Sequence, residues 1–507
     1  MKDKNNITLL ILILLLGFSL RIYNLGSESF WIDEAATAYS TNKEVPKLIN
    51  DIYTTTSEAK KYFEQGGTPP FYYVVANYWT GIIGLSEVRL RFLSVIFGIV
   101  SIYFIFLIGK LLFNYTTGLI AAFIISINSL HIYYSQEARS YSLGILLTLF
   151  TVYFLIVALK EKKIAYWIGY IISSSLLIYT HYFGIFILVF EYLFLCIPLL
   201  IQVLYHGVTL VFEYPYLSIF RRDLKRVFLS GLCIFILYIP WLPALYKMIT
   251  IRNYLGVYFE KSMFYYFVIM FVQFNSWISL KMNNGIVLIL TVCSISIITI
   301  LMCSMFFISV FIKNKKLSIG NFKDNKLMFL LLWFVIPILI PMIISWVLPQ
   351  SPIFGSVNYV IFASPAYYLI VSNGIFKSKK PLILLALLIV LSVFPLYSYY
   401  TNPDKQQWRE AAKYLESSRK DYELVIVIKA SNILPLDYYY GDMENIIGIK
   451  DIHELIDATD NQDSFWMVYS SEKYGDPKGE LRGYVDYTFN VREEIEFKGI
   501  KVFHYLD

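Results

Sequence analysis

Charge is scarce in this 507-residue chain: Asp, Glu, Lys and Arg make up 16%, against about 25% in soluble domains. With 57% hydrophobic residues, that scarcity excludes a soluble globule. Cysteine is scarcer still. Cys196, Cys233, Cys293 and Cys303 all fall in apolar runs, with neither zinc-ligand spacing nor a disulfide framework, and are expected as small buried hydrophobes. The five histidines form no H-E-x-x-H pattern, and no P-loop or Rossmann glycine signature occurs, so a nucleotide-cleaving cytoplasmic engine has no support. The alternating ten-residue segments of a transmembrane β-barrel are missing too.

What is present is a series of long apolar runs bounded by charge, which in lipid must be helices. They lie near residues 7–25, 92–112, 118–133, 141–159, 164–180, 182–204, 227–246, 284–312, 327–348, 357–376 and 381–399, about eleven spans of the necessary length. The first resembles a signal sequence without a cleavage site and is read as an uncleaved span. The run Phe71 to Leu85 is short and opens on Pro69-Pro70. If it does not cross, the four densest basic loops, Lys160 to Lys163, Arg221 to Arg226, Lys313 to Lys326 and Lys377 to Lys380, all fall inside, as the positive-inside rule requires. It is therefore expected to lie flat in the outer interface or to form a re-entrant helix, and Phe264 to Leu280 is given the same interfacial reading. The +6 net charge is thereby explained without a nucleic-acid partner. The polar loops, at 26–91, Gln136 to Ser140, Thr180 to Gly184, 247–283 and 349–356, fall outside with the tail.

The fold class expected is an α-helical polytopic membrane protein, with residues 1–400 as the membrane domain and 401–507 as a small extracytoplasmic α/β domain. In the tail, Asp404 to Ser417 reads as a helix, Leu424 to Ile428 as a buried strand, and Tyr484 to Phe489 and Gly499 to His504 as further strands.

Chemistry-bearing residues gather on the outer face. Asp33 and Glu34 follow the first span; such carboxylates serve as a general base or hold a divalent cation, or cap a helix N-terminus. Glu137 and Arg139 stand in a short turn between spans, where an outer-face arginine suits a headgroup phosphate or a local Glu–Arg pair. His181, at a span end, suits a ligand, donor or proton carrier, or a structural ring. Arg89 and Arg91 precede the second span, to grip a lipid phosphate or to snorkel. His131 is expected to be structural; His206, His453 and His504 fit no pattern.

In order along the chain stand Trp31-x-Asp33-Glu34, Gly67-Thr68-Pro69-Pro70-Phe71-Tyr72-Tyr73, Ser86-Glu87-x-x-x-Arg91, Tyr134-Ser135-Gln136-Glu137-Ala138-Arg139-Ser140-Tyr141, Thr180-His181-Tyr182-Phe183, Pro240-Trp241-Leu242-Pro243 and Asp404-Lys405-Gln406-Gln407-Trp408-Arg409-Glu410. This series resembles the GT-C type membrane glycosyltransferases, in the group containing protein O-mannosyltransferases, the lipid A aminoarabinose transferase and the RgtA/B/C/D-like enzymes. The resemblance implies inverting transfer of a sugar from a polyprenyl-phosphate donor to a lipid, glycan or protein acceptor outside the cell membrane. It implies Asp33 as general base, with Glu34 shaping the same pocket. Glu137 and Arg139 would belong to the facing loop, and His181 and Tyr182 would line the pocket near the donor phosphate. Two positions depart from the pattern. Thr68 replaces a polar His-type residue before the prolines, and Val357-Asn358-Tyr359 replaces an Arg-Tyr pair; Asn358 can hydrogen-bond a phosphate but not neutralise it. No cofactor is implied with certainty, and a divalent metal stays open because no ligand spacing is diagnostic. The competing readings are a flippase of lipid-linked sugars, which would show inverted repeats not seen here, a surface-polysaccharide polymerase, and a catalytically inactive scaffold.

Overall fold

Each of the eleven apolar runs holds a helix in the structure, a computed structural model that describes residues 2–54, 68–196, 216–253, 263–276, 285–311, 326–347, 357–402, 404–441, 445–460, 462–470 and 475–506. Seven of the described helices are long and apolar enough to cross a membrane: Glu87–Leu112, Tyr141–Glu161, Lys225–Lys247, Ile286–Val310, Lys326–Val347, Val357–Lys377 and Pro381–Thr401. The bent pair Tyr115–Ile127 and Ser129–Ser135, meeting at 64°, is long and apolar enough only when its two helices are taken together, as a broken span or a re-entrant loop. Asn6–Ile22, Ile164–Ile178 and Tyr182–Cys196 are shorter apolar helices and account for the other three runs. The segments read as interfacial form helices of 13 residues each, Phe71–Ile83 and Met263–Asn275, about 20 Å long at 1.5 Å per residue and too short for a hydrocarbon core of about 30 Å. His206, the loop 349–356 and most of the basic loop 313–326 lie outside the described residues.

The chain divides into two compact units. One holds residues 1–23, 68–72 and 92–402; the other holds 24–67, 73–91 and 403–507. In the first, helices approach closely where a side chain is missing. A Cβ built on Gly374 would stand 1.9 Å from the Met305 carbonyl oxygen, and one on Gly109 would stand 2.7 Å from Gly118 Cα. In lipid such small-residue contacts replace the hydrophobic drive to associate.

The bend at Asn128 has a definite chemistry. Its extended backbone ends one helix while its side chain accepts from the His131 amide to start the next. The break strands the carbonyls of Ile125 and Ser126, and Arg21, only 1% exposed, takes both: Nη2 donates to Ile125 O and Nη1 to Ser126 O, each at 3.0 Å. Nε donates to Ser135 Oγ at 3.1 Å. A cation at the C-terminal end of a helix also meets the negative end of its dipole. His131 is buried against Ser364, with Nε2 3.0 Å from its hydroxyl, in the structural role expected.

The cysteines correct an expectation. Cys196, Cys233 and Cys293 are exposed on the helices that carry them, and Cys303 is half-buried. In a bilayer a small apolar side chain is satisfied by lipid as well as by protein, so hydrophobic surroundings in the sequence do not select the bundle interior.

In the second unit, residues 424–506 build a five-stranded sheet of order β2-β1-β3-β5-β4, with β1 Leu424–Ile428, β2 Ile446–Ile449, β3 Ser464–Ser470, β4 Asn490–Phe497 and β5 Ile500–Leu506. β1 runs parallel to β2 and β3, and β5 antiparallel to β3 and β4. Alternation along β1 sends Val425 and Val427 to one face, with Trp408, Leu415 and Leu436. Ile426 and Ile428 go to the other, with Leu455, Leu481 and Val485. Two of the strand expectations hold, at Leu424–Ile428 and in β5. Tyr484 to Phe489 is instead mostly helix, Glu480–Thr488: Leu481 and Val485, four apart, are both buried, which is a helical spacing. The helix expected from Asp404 begins at Trp408.

Glu423, just before β1, is a buried carboxylate. It accepts from the Lys420 amide, Ser464 Oγ and Trp466 Nε1 at 2.9, 2.9 and 3.0 Å, and His504 Nε2 lies 3.1 Å away. The His504 ring stacks on Trp466. Burial alone would raise the carboxyl pKa, but the four donors outweigh it and hold it at about 2, below its ordinary 4.5. A depressed folded value means stabilisation is complete above pH 4.5 and is lost as pH falls towards 2. Glu423→Gln is expected to be about 3 kcal/mol less stable at pH 7, with the gap to wild type closing over that acid window. Thermal unfolding of both proteins as a function of pH measures it.

Candidate active site

Trp31 has extended backbone, and the helix Ile32–Thr41 starts directly after it with Asp33 and Glu34 in its first turn. The acidic-cap reading of the pair is therefore met at the level of geometry, since the first turn is where a helix dipole favours carboxylates. Burial then separates the two residues. Glu34 is wholly buried, at 0% exposure, whereas Asp33 is half-exposed.

Glu34 is held by two cations. Arg91 Nε donates to Oε1 at 2.8 Å and Nη2 to Oε2 at 2.7 Å, a bidentate fork, and Lys405 Nζ donates to Oε2 at 2.9 Å. The remaining Arg91 donors go to the carbonyls of Leu25, Glu28 and Ser29 at 3.0, 2.8 and 3.1 Å. All five guanidinium N–H groups are thus consumed inside the protein, and Arg91 has no donor left for a lipid phosphate. Its neighbour Arg89 is exposed, with its backbone carbonyl accepting from Trp79 Nε1 at 2.8 Å. The structure brings Glu34 and Arg91 together and separates the roles of the two arginines: one organises the loop, the other faces outwards.

The other predicted residues lie in the first unit. Gln136 Nε2 donates to the carbonyls of Arg21 and Tyr23 at 2.9 and 2.7 Å, and its Oε1 accepts from the Tyr399 hydroxyl at 2.5 Å. This ties the turn carrying Glu137 and Arg139 to the end of the first helix. Glu137 is 1% exposed, so it is not a surface charge, and Arg139 is half-buried. Tyr141 joins two of the predicted residues. Its ring packs on His181, centroids 5.8 Å apart, while its hydroxyl accepts from Asn358 Nδ2 at 2.8 Å. Tyr182 is the next link, its hydroxyl accepting from Trp241 Nε1 at 3.2 Å. Thus His181, Tyr141 and Asn358 form one cluster, with Tyr182 and Trp241 paired beside His181 in the chain.

Sequence reasoning missed Lys405, Gln136 and Arg21 as organising residues. Lys405 and Gln136 stood inside recognised motifs. Arg21 had only the signal of a charge at the end of an apolar run. Among the described residues no group of three or more His, Cys, Asp or Glu is arranged to hold a metal ion.

Comparison with known proteins bears on this arrangement. Residues 67–220 match the family model described as dolichyl-phosphate-mannose-protein mannosyltransferase. No curated protein matches the chain. Among solved structures, ArnT from Cupriavidus metallidurans in the apo state superposes with a TM-score of 0.60 at 10% identity, over 99% of this chain and 98% of that one. The same protein bound to undecaprenyl phosphate gives 0.58 at 10% identity, with 97% of each chain covered. The Archaeoglobus fulgidus oligosaccharyltransferase in complex with Zn and sulfate gives 0.54 at 14% identity, over 98% of this chain and 73% of that one. The chain has the fold of the GT-C membrane glycosyltransferases, the group its ordered motifs resemble.

Proposed function

We propose that this protein is an inverting glycosyltransferase that moves a sugar from a polyprenyl-phosphate donor to a lipid, glycan or protein acceptor at the outer face of the membrane. The observation that carries the reading is the division of labour in the acidic pair. Glu34 is buried and neutralised by Arg91 and Lys405, while the adjacent Asp33 is half-exposed and stands in the first turn of a helix in a GT-C fold. Asp33 accepts the proton of the acceptor hydroxyl. The oxygen attacks the anomeric carbon from the side opposite the phosphate, the bond from that carbon to the phosphate oxygen breaks, and the electron pair leaves with the lipid phosphate. Neither a nucleotide nor a cytoplasmic water path is needed.

Glu137, Arg139, His181, Tyr182 and Asn358 are assigned to the donor side in this reading. The exposed Arg89 is the cation for a headgroup or carrier phosphate. A structural neighbour bound to undecaprenyl phosphate supports a lipid carrier, and the basic loops assigned inside support the outward orientation.

The test is a transfer assay in reconstituted vesicles with a panel of radiolabelled polyprenyl-phosphate sugars and native membrane extract as acceptor. Transfer of label from at least one donor is the expected result. Movement of labelled lipid across the bilayer without transfer would replace the reading by a flippase.

A further inference from the structure

Six consecutive residues of the loop before the acidic pair are gripped from two directions. From the start of the helix Glu87–Leu112, Arg91 holds the carbonyls of Leu25, Glu28 and Ser29. From the segment after residue 403 come the other contacts. Arg409 donates to the carbonyls of Gly26 and Ser27 at 3.4 and 2.9 Å. The amides of Asp404 and Lys405 donate to Glu28 Oε1 at 2.5 and 2.9 Å. Ser29 Oγ donates to the Gln406 carbonyl at 3.0 Å, and the Phe30 amide to the Tyr439 hydroxyl at 2.6 Å. The two grips are joined, because Glu87 accepts from both Arg409 and Tyr439.

The side chain of Lys405 stands apart from these contacts. That side chain, 6% exposed, reaches past the loop to Glu34, a carboxylate already matched by the Arg91 fork. Burying a second cation on a carboxylate that has one is unfavourable for folding, since desolvating the ammonium is only partly offset. Stability alone would favour an apolar side chain at this position. What the ammonium does accomplish is to fix the turn that carries Asp33 and to set a positive charge one residue away from it.

We infer that Lys405 is a positioning residue for Asp33, through which the C-terminal domain takes part in the reaction; the inference rests on the proposed role of Asp33 as base. The 403–507 segment is then a working part of the site and not an independent lid.

The experiment compares full-length wild type with Lys405→Met and Lys405→Arg in nanodiscs. Three readouts are used: transfer from the donor panel above, hydrogen exchange of the Ile32–Thr41 amides, and thermal unfolding. Lys405→Met is expected to lower kcat tenfold or more, with KM for the donor within twofold of wild type. It should speed exchange in Ile32–Thr41 at least fivefold and leave the unfolding midpoint unchanged or higher. Lys405→Arg is expected to restore at least half of kcat. Unchanged kcat with unchanged exchange overturns the inference, and so does a fall in kcat that tracks a fall in the unfolding midpoint, which marks a merely structural residue. Wild type that transfers from no donor defeats the glycosyltransferase reading, and exchange then decides alone: a fivefold rise supports the positioning contact and no rise overturns it.

Discussion

Asp33→Asn is expected to lower the transfer rate at least a hundredfold while leaving folding and donor affinity near wild type. Asparagine keeps the size and one carbonyl acceptor of aspartate but has no lone pair basic enough to take a hydroxyl proton. General-base catalysis is worth about 10²–10⁴ in rate, so the loss falls in that range if Asp33 is the base. The folding cost is small. Asp33 is half-exposed in the first turn of a helix, where a carboxylate's dipole interaction contributes about 0.3–1 kcal/mol. Initial rates in reconstituted vesicles, with unfolding midpoints for both proteins, separate the two effects. An Asp33→Asn protein with more than a tenth of wild-type activity would move the base elsewhere.

The second large effect is on stability. Arg91→Met removes both N–H donors of the fork from Glu34 and leaves the carbonyls of Leu25, Glu28 and Ser29 without their guanidinium partner. Breaking a buried pair by deleting one member costs about 3–5 kcal/mol, because the surviving charge stays desolvated. Lys405 limits that penalty at Glu34 but cannot reach three carbonyls as well. Arg91→Lys is expected to rescue little, since an ammonium has three donors and no planar fork. The triple replacement Arg91→Met, Glu34→Leu, Lys405→Met should recover only the share of the loss that comes from the unpaired buried charges, because apolar groups need no partner, and not the share that comes from the three carbonyls. Thermal unfolding of the full-length protein in detergent compares the three. Equal stability of Arg91→Met and wild type would mean that the ion pair does not hold the loop.

The same residues show what a sequence can and cannot convey. The spans were legible because lipid forces every apolar run of sufficient length to satisfy its own backbone, and β1 was legible because five apolar residues fit a strand buried on both faces. Asp33 and Glu34 were found as a pair, but nothing local distinguishes them. The difference is made by Arg91, 57 positions away, and Lys405, 371 positions away. In the sequence Arg91 reads as a phosphate grip or a snorkelling side chain, since a short polar stretch beside a span looks alike whether it faces a headgroup or a buried carboxylate. At Tyr484 to Phe489 alternation over six residues was too short to tell strand from helix, and the burial of Leu481 and Val485 decided it.

Arg21 bears on how the chain is made. Its acceptors, the carbonyls of Ile125 and Ser126 and the hydroxyl of Ser135, lie 104, 105 and 114 residues later, and synthesis proceeds from the N-terminus. At about 5–20 residues per second the arginine exists for roughly 5–20 s before the groups that receive it. Placing it in hydrocarbon during that interval costs about 2.5–3.5 kcal/mol. The helix that carries Arg21 therefore reaches its final packing only after residues 125–135 have been made, and its settling waits on a segment translated more than a hundred residues later.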